Sequence, residues 1–299
     1  MYKVTSKWPH QDSVKIEWNI GKRCNLDCAY CPSFIHDNFS PHTDIDVFKK
    51  ALAELSKMNK PLRISFTGGE PCVHPNIIDI VESTREVADW INITTNGTLP
   101  YKLYGRLPVD HYVFSLHFDN EVVEKTVNNI LYWSQLNDME RNIPYQVNLM
   151  AHHQYMDRVK ESCCVLDGHS VPYVIRRIRW TEGDHDWFDD MRYDSKDLEW
   201  ILDHNATVKA NCLIDDTEEM HANDIIKHHK NQFKGWKCNA GIESLMINWD
   251  GEVHRATCRV GGSLGNIYSG TFEIPTEPIT CTRNWCTCAA DIPLTKVST

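Results

Sequence analysis

The chain has 299 residues, 41% hydrophobic and 24% charged, enough for one large α/β domain with a small appendage or for two domains. Its formal charge of −10 argues against a non-specific grip on a nucleic-acid backbone, which works through Lys and Arg, and puts nucleic acid last among expected partners. The first residues, "MYKVTSKWPHQDSV", lack the apolar centre of a signal peptide, and no run of 18 apolar residues follows, so the expectation is a cytoplasmic protein with no membrane contact.

The first element is a strand: in "SVKIEWNIGKRC", Val14, Ile16 and Trp18 alternate with polar neighbours. It runs into "CNLDCAYC", which puts Cys24, Cys28 and Cys31 within eight residues. A structural zinc site or a four-iron cluster wants four ligands. Three close together leave one metal position open, and an open position is where chemistry happens.

From Thr43, read as an N-cap, Ile45, Phe48, Leu52 and Leu55 fall at helical spacing. "LRISFTGGEP" is then a strand ending in a glycine turn, "NIIDIVESTREVADW" a helix and "INITTNGT" a strand with its loop. "HYVFSLHFD" is a strand, "EVVEKTVNNILYWSQL" a helix, "YQVNLMAHH" a strand, "YMDRVKESCCVL" a short helix and "YVIRRIRW" a strand. Strand and helix alternate about six times between Val14 and Trp180, which predicts an α/β fold: a partial (β/α)6 TIM-like barrel that need not close. In such barrels function sits on the loops after the strands' C-terminal ends, so the cysteine loop, "TGGEP", "TTNGT" and "SLHFD" should share one face.

Residues 1–180 would form the barrel, and 181–231 a connector that is acidic at "TEGDHDWFDD", carries a helix at "SKDLEWILDHN" and could form part of the substrate side. Residues 232–299 form a loop-rich tail, too small for a strong core, with Cys238, Cys258, Cys281, Cys286 and Cys288. Two cysteine groups at opposite ends of the chain suggest two metal centres.

The Cys-x3-Cys-x2-Cys loop after the first strand, Tyr30 before the third cysteine, "GGEP" after the second strand and the six β/α units together resemble the radical S-adenosylmethionine (SAM) superfamily over roughly Val14 to Trp180. The tail is similar to that superfamily's twitch and SPASM auxiliary-cluster modules: Cys238, an Asp250-Gly251 turn, Cys258, then Cys281, Cys286 and Cys288. The late "CTRNWCTC" departs from the commoner Cys-x2-Cys spacing, so the ligand set there stays open.

The resemblance implies a [4Fe–4S] cluster on Cys24, Cys28 and Cys31, with its open iron binding SAM, and a second, auxiliary [4Fe–4S] cluster on ligands drawn from Cys238, Cys258, Cys281, Cys286 and Cys288. One electron, from a donor such as flavodoxin or ferredoxin, then cleaves SAM to a 5′-deoxyadenosyl radical, which abstracts a hydrogen atom from a C–H bond. It also implies that Gly68, Gly69, Glu70 and Pro71 line the SAM amino group, that Tyr30 lies near adenine, and that Asn96, Ser115, His117 and Asn148 contact SAM or substrate. Arg176, Arg177 and Arg179 alternate across a strand; an inward one, taken as Arg177, would hold the SAM carboxylate.

A cluster uses four cysteines and the tail has five, so one is spare: Cys281 first, Cys286 next, as an idle thiol or a catalytic hydrogen-atom donor. Two-electron oxidation of a small polar substrate (a sugar, aminocyclitol or amino-acid-like molecule) is the expected reaction. The alternatives are epimerisation through the spare thiol, modification of a ribosomally made peptide, and a non-catalytic iron–sulfur scaffold or sensor. With the barrel beginning by Val14, no leader-peptide-binding domain is expected before it, which weighs against a self-sufficient peptide-modifying enzyme. The plainer readings are a zinc knuckle for the first cysteines, a zinc staple for the tail, exposed loop positions for His152 and His153, and core or interface packing for Trp180, Trp187, Trp236 and Trp285.

Overall fold

A computed structural model describes residues 2–7, 12–182, 186–189, 192–205 and 210–298, with backbone alone at 179–182, 186–189 and 227. Six strands run parallel in chain order: β2 (Val14–Asn19), β3 (Leu62–Thr67), β4 (Trp90–Thr95), β5 (His111–His117), β6 (Tyr145–Ala151) and β7 (Tyr173–Arg177). A short strand, β1 (Lys3–Ser6), precedes them. The helices between them are α1 (Ile45–Ser56), α2 (Ile77–Arg85), the single turn α3 (Tyr101–Tyr104), α4 (Val123–Glu140) and α5 (Met156–Gly168). This is the partial (β/α)6 barrel that the alternation predicts.

The register explains why the strands alternate. Ile16 pairs with Ile64, Ile64 with Ile91, Phe114 with Val147 and Leu149 with Ile175, so apolar residues form continuous rows facing the helices. On that side Trp18 stacks on Phe48 of α1 at 4.5 Å, and Trp133 of α4 meets Phe114 at 5.0 Å and Tyr145 at 5.0 Å. The opposite face carries Lys15, Glu17, Arg63, Ser65, Asn92, Ser115, Asn148 and Arg176, aligned by the same pairings. A closed TIM barrel fills its interior with branched apolar side chains. Here the interior is polar, as suits a chamber that holds a polar ligand.

Three boundaries differ from the sequence reading. The α1 N-cap is Asp44, whose carboxylate accepts from Asp46 N and Val47 N, while Thr43 Oγ1 points to the carbonyl of Ile20. Helix α2 stops at Arg85, short of Trp90, which opens β4. The last barrel strand ends at Arg177 because Ile178 N donates to Tyr193 Oη instead of continuing the ladder. The chain resumes as a separate hairpin, β8 (Arg179–Glu182) with β9 (Asp186–Asp189). Of the acidic stretch "TEGDHDWFDD", residues 183–185 and 190 fall outside the described residues and the rest are described by backbone alone, as are Trp180 and Trp187.

Beyond the barrel come α6 (Ser195–His204), the hairpin β10 (Cys212–Ile214) and β11 (Glu218–Met220), and α7 (Ala222–Lys227). The cysteine-rich tail contributes β12 (Lys237–Cys238), β13 (Ser244–Ile247), β14 (Glu252–His254), β15 (Ser263–Asn266), β16 (Ile279–Thr280) and β17 (Lys296–Val297). It serves two sheets. Strand β13 pairs parallel to β2 and, with β14 and β15, extends the barrel sheet to nine strands. The others join a six-stranded sheet in the order β11-β10-β1-β17-β12-β16, so the first and last strands of the chain lie side by side. Among the described residues no helix is long and apolar enough to cross a membrane.

Candidate active site

The cysteine loop leaves β2 and crosses the mouth of the barrel against the loop after β3. Gly69 N donates to Gly21 O at 2.9 Å and Glu70 N to Arg23 O at 2.8 Å. A Cβ on Gly69 would lie 2.2 Å from Lys22 O, and one on Gly68 (φ +130°) 2.3 Å from Gly21 O. What these glycines admit is the backbone of the cysteine loop. Lys22 and Asp37 then pin the loop with a 2.9 Å ion pair, and Asp37 also accepts from Ser40 N and Oγ.

Glu70 is 3% exposed and spends its carboxylate on the protein. Its Oε1 accepts from Cys72 N at 2.9 Å and Thr95 Oγ1 at 2.8 Å, and its Oε2 from Asn96 N at 2.6 Å. The Cys72 side chain hydrogen-bonds to it as well, so the roughly four acceptor sites of the carboxylate are taken up by the protein. Pro71 follows as the buried first residue of a 3-10 turn that Glu70 caps.

Donors point at the sulfurs. Leu26 N lies 3.4 Å from Cys24 Sγ, Asn96 Nδ2 3.7 Å from the same sulfur, and Asn120 Nδ2 3.3 Å from Cys28 Sγ. Burial pushes the Cys24 and Cys28 thiols up and the Cys31 thiol to about 12, Cys31 being raised further by Cys24 and Asp119. Without a cation the three stay protonated; a bound metal cluster supplies the charge that makes them thiolates. Three soft donors with N–H groups aimed at sulfur fit an iron–sulfur cluster.

Tyr30 turns its ring over the barrel. Its hydroxyl is 2.5 Å from His117 Nδ1, and its ring lies 6.0 Å from that of His117 and 5.9 Å from that of His152. Burial lowers His117 to about 4, against an opposing pull from Asp119, so it is neutral near pH 7. His152 is buried at 5% exposure and stacks on His153 at 4.5 Å, which corrects its reading as an exposed loop residue.

Ser115 and Asn148 pair across β5 and β6 on the interior face, and Asn148 Oδ1 accepts from Arg176 Nε at 3.3 Å. Arg177 aligns with Ala151 in the outward row, so the interior arginine is Arg176, correcting the assignment to Arg177. Sequence reasoning missed Asp119 and Asn120. Asp119 Oδ2 accepts from Ala29 N at 2.9 Å and its Oδ1 from Asn120 Nδ2 at 2.8 Å, tying the cysteine loop to the end of β5. The available signal was their place directly after "SLHF", in the loop at the C-terminal end of β5.

The tail cysteines are linked by short hydrogen bonds. Cys258 N donates to Asp291 Oδ2 at 3.0 Å, Asp291 N to Cys288 O at 2.9 Å, and Cys281 N to Trp236 O at 2.8 Å. Cys238 and Cys281 are electrostatic neighbours of Cys258, which desolvation raises to about 12; Cys258 and Cys288 are neighbours of Cys286, whose thiol burial also raises. Cys288, raised by burial to about 12, senses Asp291 and then Glu17 and Lys15 of the barrel interior. Cys286 packs instead with Val4, Phe233 and Ile292. Thiolates are suited to an iron–sulfur cluster here too. Among the described residues no three His, Cys, Asp or Glu side chains close around one point as a single metal ion requires. Trp236 packs on Phe233 at 5.2 Å, whereas Trp285 is 44% exposed.

Residues 18–146 match the family model described as the Radical SAM superfamily. The chain is 31% identical over 142 residues (45% of it, 42% of the relative) to the GTP 3′,8-cyclase of Desulforamulus reducens. It is 35% identical over 102 residues (32% and 29%) to the tungsten-containing aldehyde ferredoxin oxidoreductase cofactor-modifying protein of Pyrococcus furiosus. The matched stretches span less than half of these curated relatives. Among solved structures it resembles anSMEcpe with bound AdoMet and Cp18Cys peptide (TM-score 0.59, 14% identity, 87% of this chain and 78% of that one). It also resembles Streptococcus suis SuiB (TM-score 0.58, 13% identity, 87% and 64%). At these identities the structural likeness shows the fold.

Proposed function

We propose that this chain, given its Radical SAM match over residues 18–146, is a radical SAM enzyme acting on a small polar substrate held inside the barrel. The observation that carries the reading is the cysteine loop itself: three thiols with N–H donors directed at sulfur, closed over a polar chamber. When bound, a [4Fe–4S] cluster and SAM supply a 5′-deoxyadenosyl radical able to take a hydrogen atom from a C–H bond. The protein's part is position and exclusion of water.

Cys24, Cys28 and Cys31 would hold that cluster, and the loop of Gly68, Gly69, Glu70 and Pro71, which packs against the cysteine loop, would line the SAM ammonium. Tyr30, His117 and His152 form an aromatic wall at the chamber mouth, fit to bound the adenine side. Neutral His117 would orient Tyr30 and leave its Nε2 for a polar contact, while Ser115 and Asn148 face the substrate. Four of Cys238, Cys258, Cys281, Cys286 and Cys288 would hold an auxiliary cluster that accepts an electron from the substrate radical, giving two-electron oxidation.

The tail has five cysteines and a cluster takes four, which supports a second reading: a spare thiol, Cys281 first and Cys286 next, would return a hydrogen atom and the outcome would be epimerisation. Peptide modification is a further alternative, as bound peptide accompanies one solved neighbour. The test is anaerobic reconstitution followed by dithionite and SAM. Formation of 5′-deoxyadenosine supports the enzyme; none favours a scaffold. Turnover in heavy water then separates the outcomes: one solvent deuterium gained at unchanged oxidation level indicates epimerisation, and a product two electrons more oxidised indicates oxidation.

A further inference from the structure

Deeper in the barrel, away from the cysteine loop, is a cavity of about 410 Å³ lined by Lys15, Arg63, Trp90, His111 and Arg176 and closed by tail residues 289, 290 and 293–295. In a chain of charge −10 this is a local inversion of sign. The one lining carboxylate, Glu243, is already occupied: it accepts from Asn239 Nδ2 at 2.6 Å and from Thr295 N at 2.8 Å.

The cations are less well provided for. Arg63 stacks on the Trp90 ring at 4.5 Å, and Trp90 stacks in turn with His111 at 5.9 Å. Among the described residues the Arg63 guanidinium has no hydrogen bond or ion pair, and neither has the Lys15 ammonium. The acid nearest Arg63 in charge, Asp110, is held by Arg85 at 2.7 Å and by Ile91 N at 2.7 Å. Lys15 senses Glu17 and Asp291, whose ionisation burial disfavours. His111 Nδ1 is engaged by Asn92 Oδ1 at 2.9 Å, which leaves Nε2. Arg176 Nε is engaged by Asn148.

A guanidinium braced on an aromatic face, with its fork of donors unfilled, matches a carboxylate or phosphate. We propose that this cavity seats an anionic group, phosphate or carboxylate, at one end of the substrate, leaving the rest to extend past Asn148 and Ser115 towards the cysteine loop. The inference rests on the reading of the barrel interior as the substrate chamber. Trp90 and Arg63 then set which molecules enter, and the reacting carbon lies at the end remote from the charge.

The test is calorimetric titration of the anaerobically reconstituted protein with inorganic phosphate and, separately, with succinate, at low salt. Saturable binding of at least one is expected; the tighter of the two identifies the group. Arg63→Gln and Lys15→Gln should each weaken it about tenfold or more, Arg63→Lys should weaken it less than Arg63→Gln, and Lys57→Gln, exposed just beyond α1, should leave it unchanged. Iron content and thermal melting of each variant identify any that fail to fold. Absence of saturable binding of both anions overturns the site, as does binding unaffected by folded Arg63→Gln and Lys15→Gln. Absence of anion binding in the parent protein alongside intact SAM cleavage removes this inference alone. Anion binding without 5′-deoxyadenosine keeps the site and removes the enzymatic reading.

Discussion

Glu70 Oε2 accepts a 2.6 Å hydrogen bond from Asn96 N, and the Asn96 side chain reaches Asn25 Oδ1 at 2.8 Å and Cys24 Sγ at 3.7 Å. One buried carboxylate thus couples the loops after β3 and β4 to the first cysteine. Glu70→Gln keeps the volume but replaces an acceptor oxygen with a donor, so one of three inward N–H or O–H groups loses its partner. The expected cost is about 1–3 kcal/mol. The urea midpoint should fall, with less iron retained after reconstitution.

Gly69→Ala tests the loop contact from the other side. The new methyl carbon would meet the carbonyl oxygens of Lys22 and Arg23 at 2.2 and 2.3 Å, and neither is a flexible side chain. Separating the loops should cost about 1–3 kcal/mol and lower iron occupancy, read by denaturant midpoint and iron analysis. Gly105→Ala, whose Cβ would approach nothing closer than 3.8 Å, should do neither.

Asn120 donates to Cys28 Sγ at 3.3 Å, and such hydrogen bonds stabilise the electron-rich reduced cluster. Asn120→Ala should make the barrel cluster harder to reduce, by roughly 40 mV for a bond of about 1 kcal/mol. A potentiometric titration followed by electron paramagnetic resonance measures this, and an unchanged potential would show that Asn120 does not tune the cluster.

His74, 3% exposed, is satisfied as a neutral ring: Nε2 donates to Thr43 O at 3.0 Å and Nδ1 accepts from Asn76 N at 3.1 Å. Burial, with the nearby His42, lowers its pKa to about 4. A depressed histidine contributes stability that is present above its unfolded pKa near 6.5 and lost as pH falls towards 4, up to about 3 kcal/mol. The urea midpoint should fall across that window, and His74→Gln should flatten the dependence.

Much of this was legible because the barrel strands write their two faces into alternate residues. Val14, Ile16 and Trp18 face the helices while Lys15 and Glu17 face the chamber, so strands and their loops could be read off periodicity. Register was harder at β7, where "VIRR" offers adjacent arginines and only pairing with β6 decides that Arg176 is inside. The capping shift from Thr43 to Asp44 has a similar origin, since both residue types cap well and tertiary contact decides. The attachment of β13 to β2, and of β1 to β17, depends on pairings between distant segments that no local pattern records. Asp119 and Asn120 escaped notice because their role is to touch the cysteine loop, a contact about ninety residues away in sequence.

The central claim is that Cys24, Cys28 and Cys31 hold the cluster that cleaves SAM. The direct measurement compares 5′-deoxyadenosine formation and iron content in the parent protein and in a Cys24→Ala, Cys28→Ala, Cys31→Ala triple variant, both reconstituted anaerobically and reduced with dithionite. The parent should carry about eight irons, from two four-iron clusters, and produce 5′-deoxyadenosine. The triple variant should keep about half the iron, in the tail, and produce none. SAM cleavage retained in the triple variant would contradict the account.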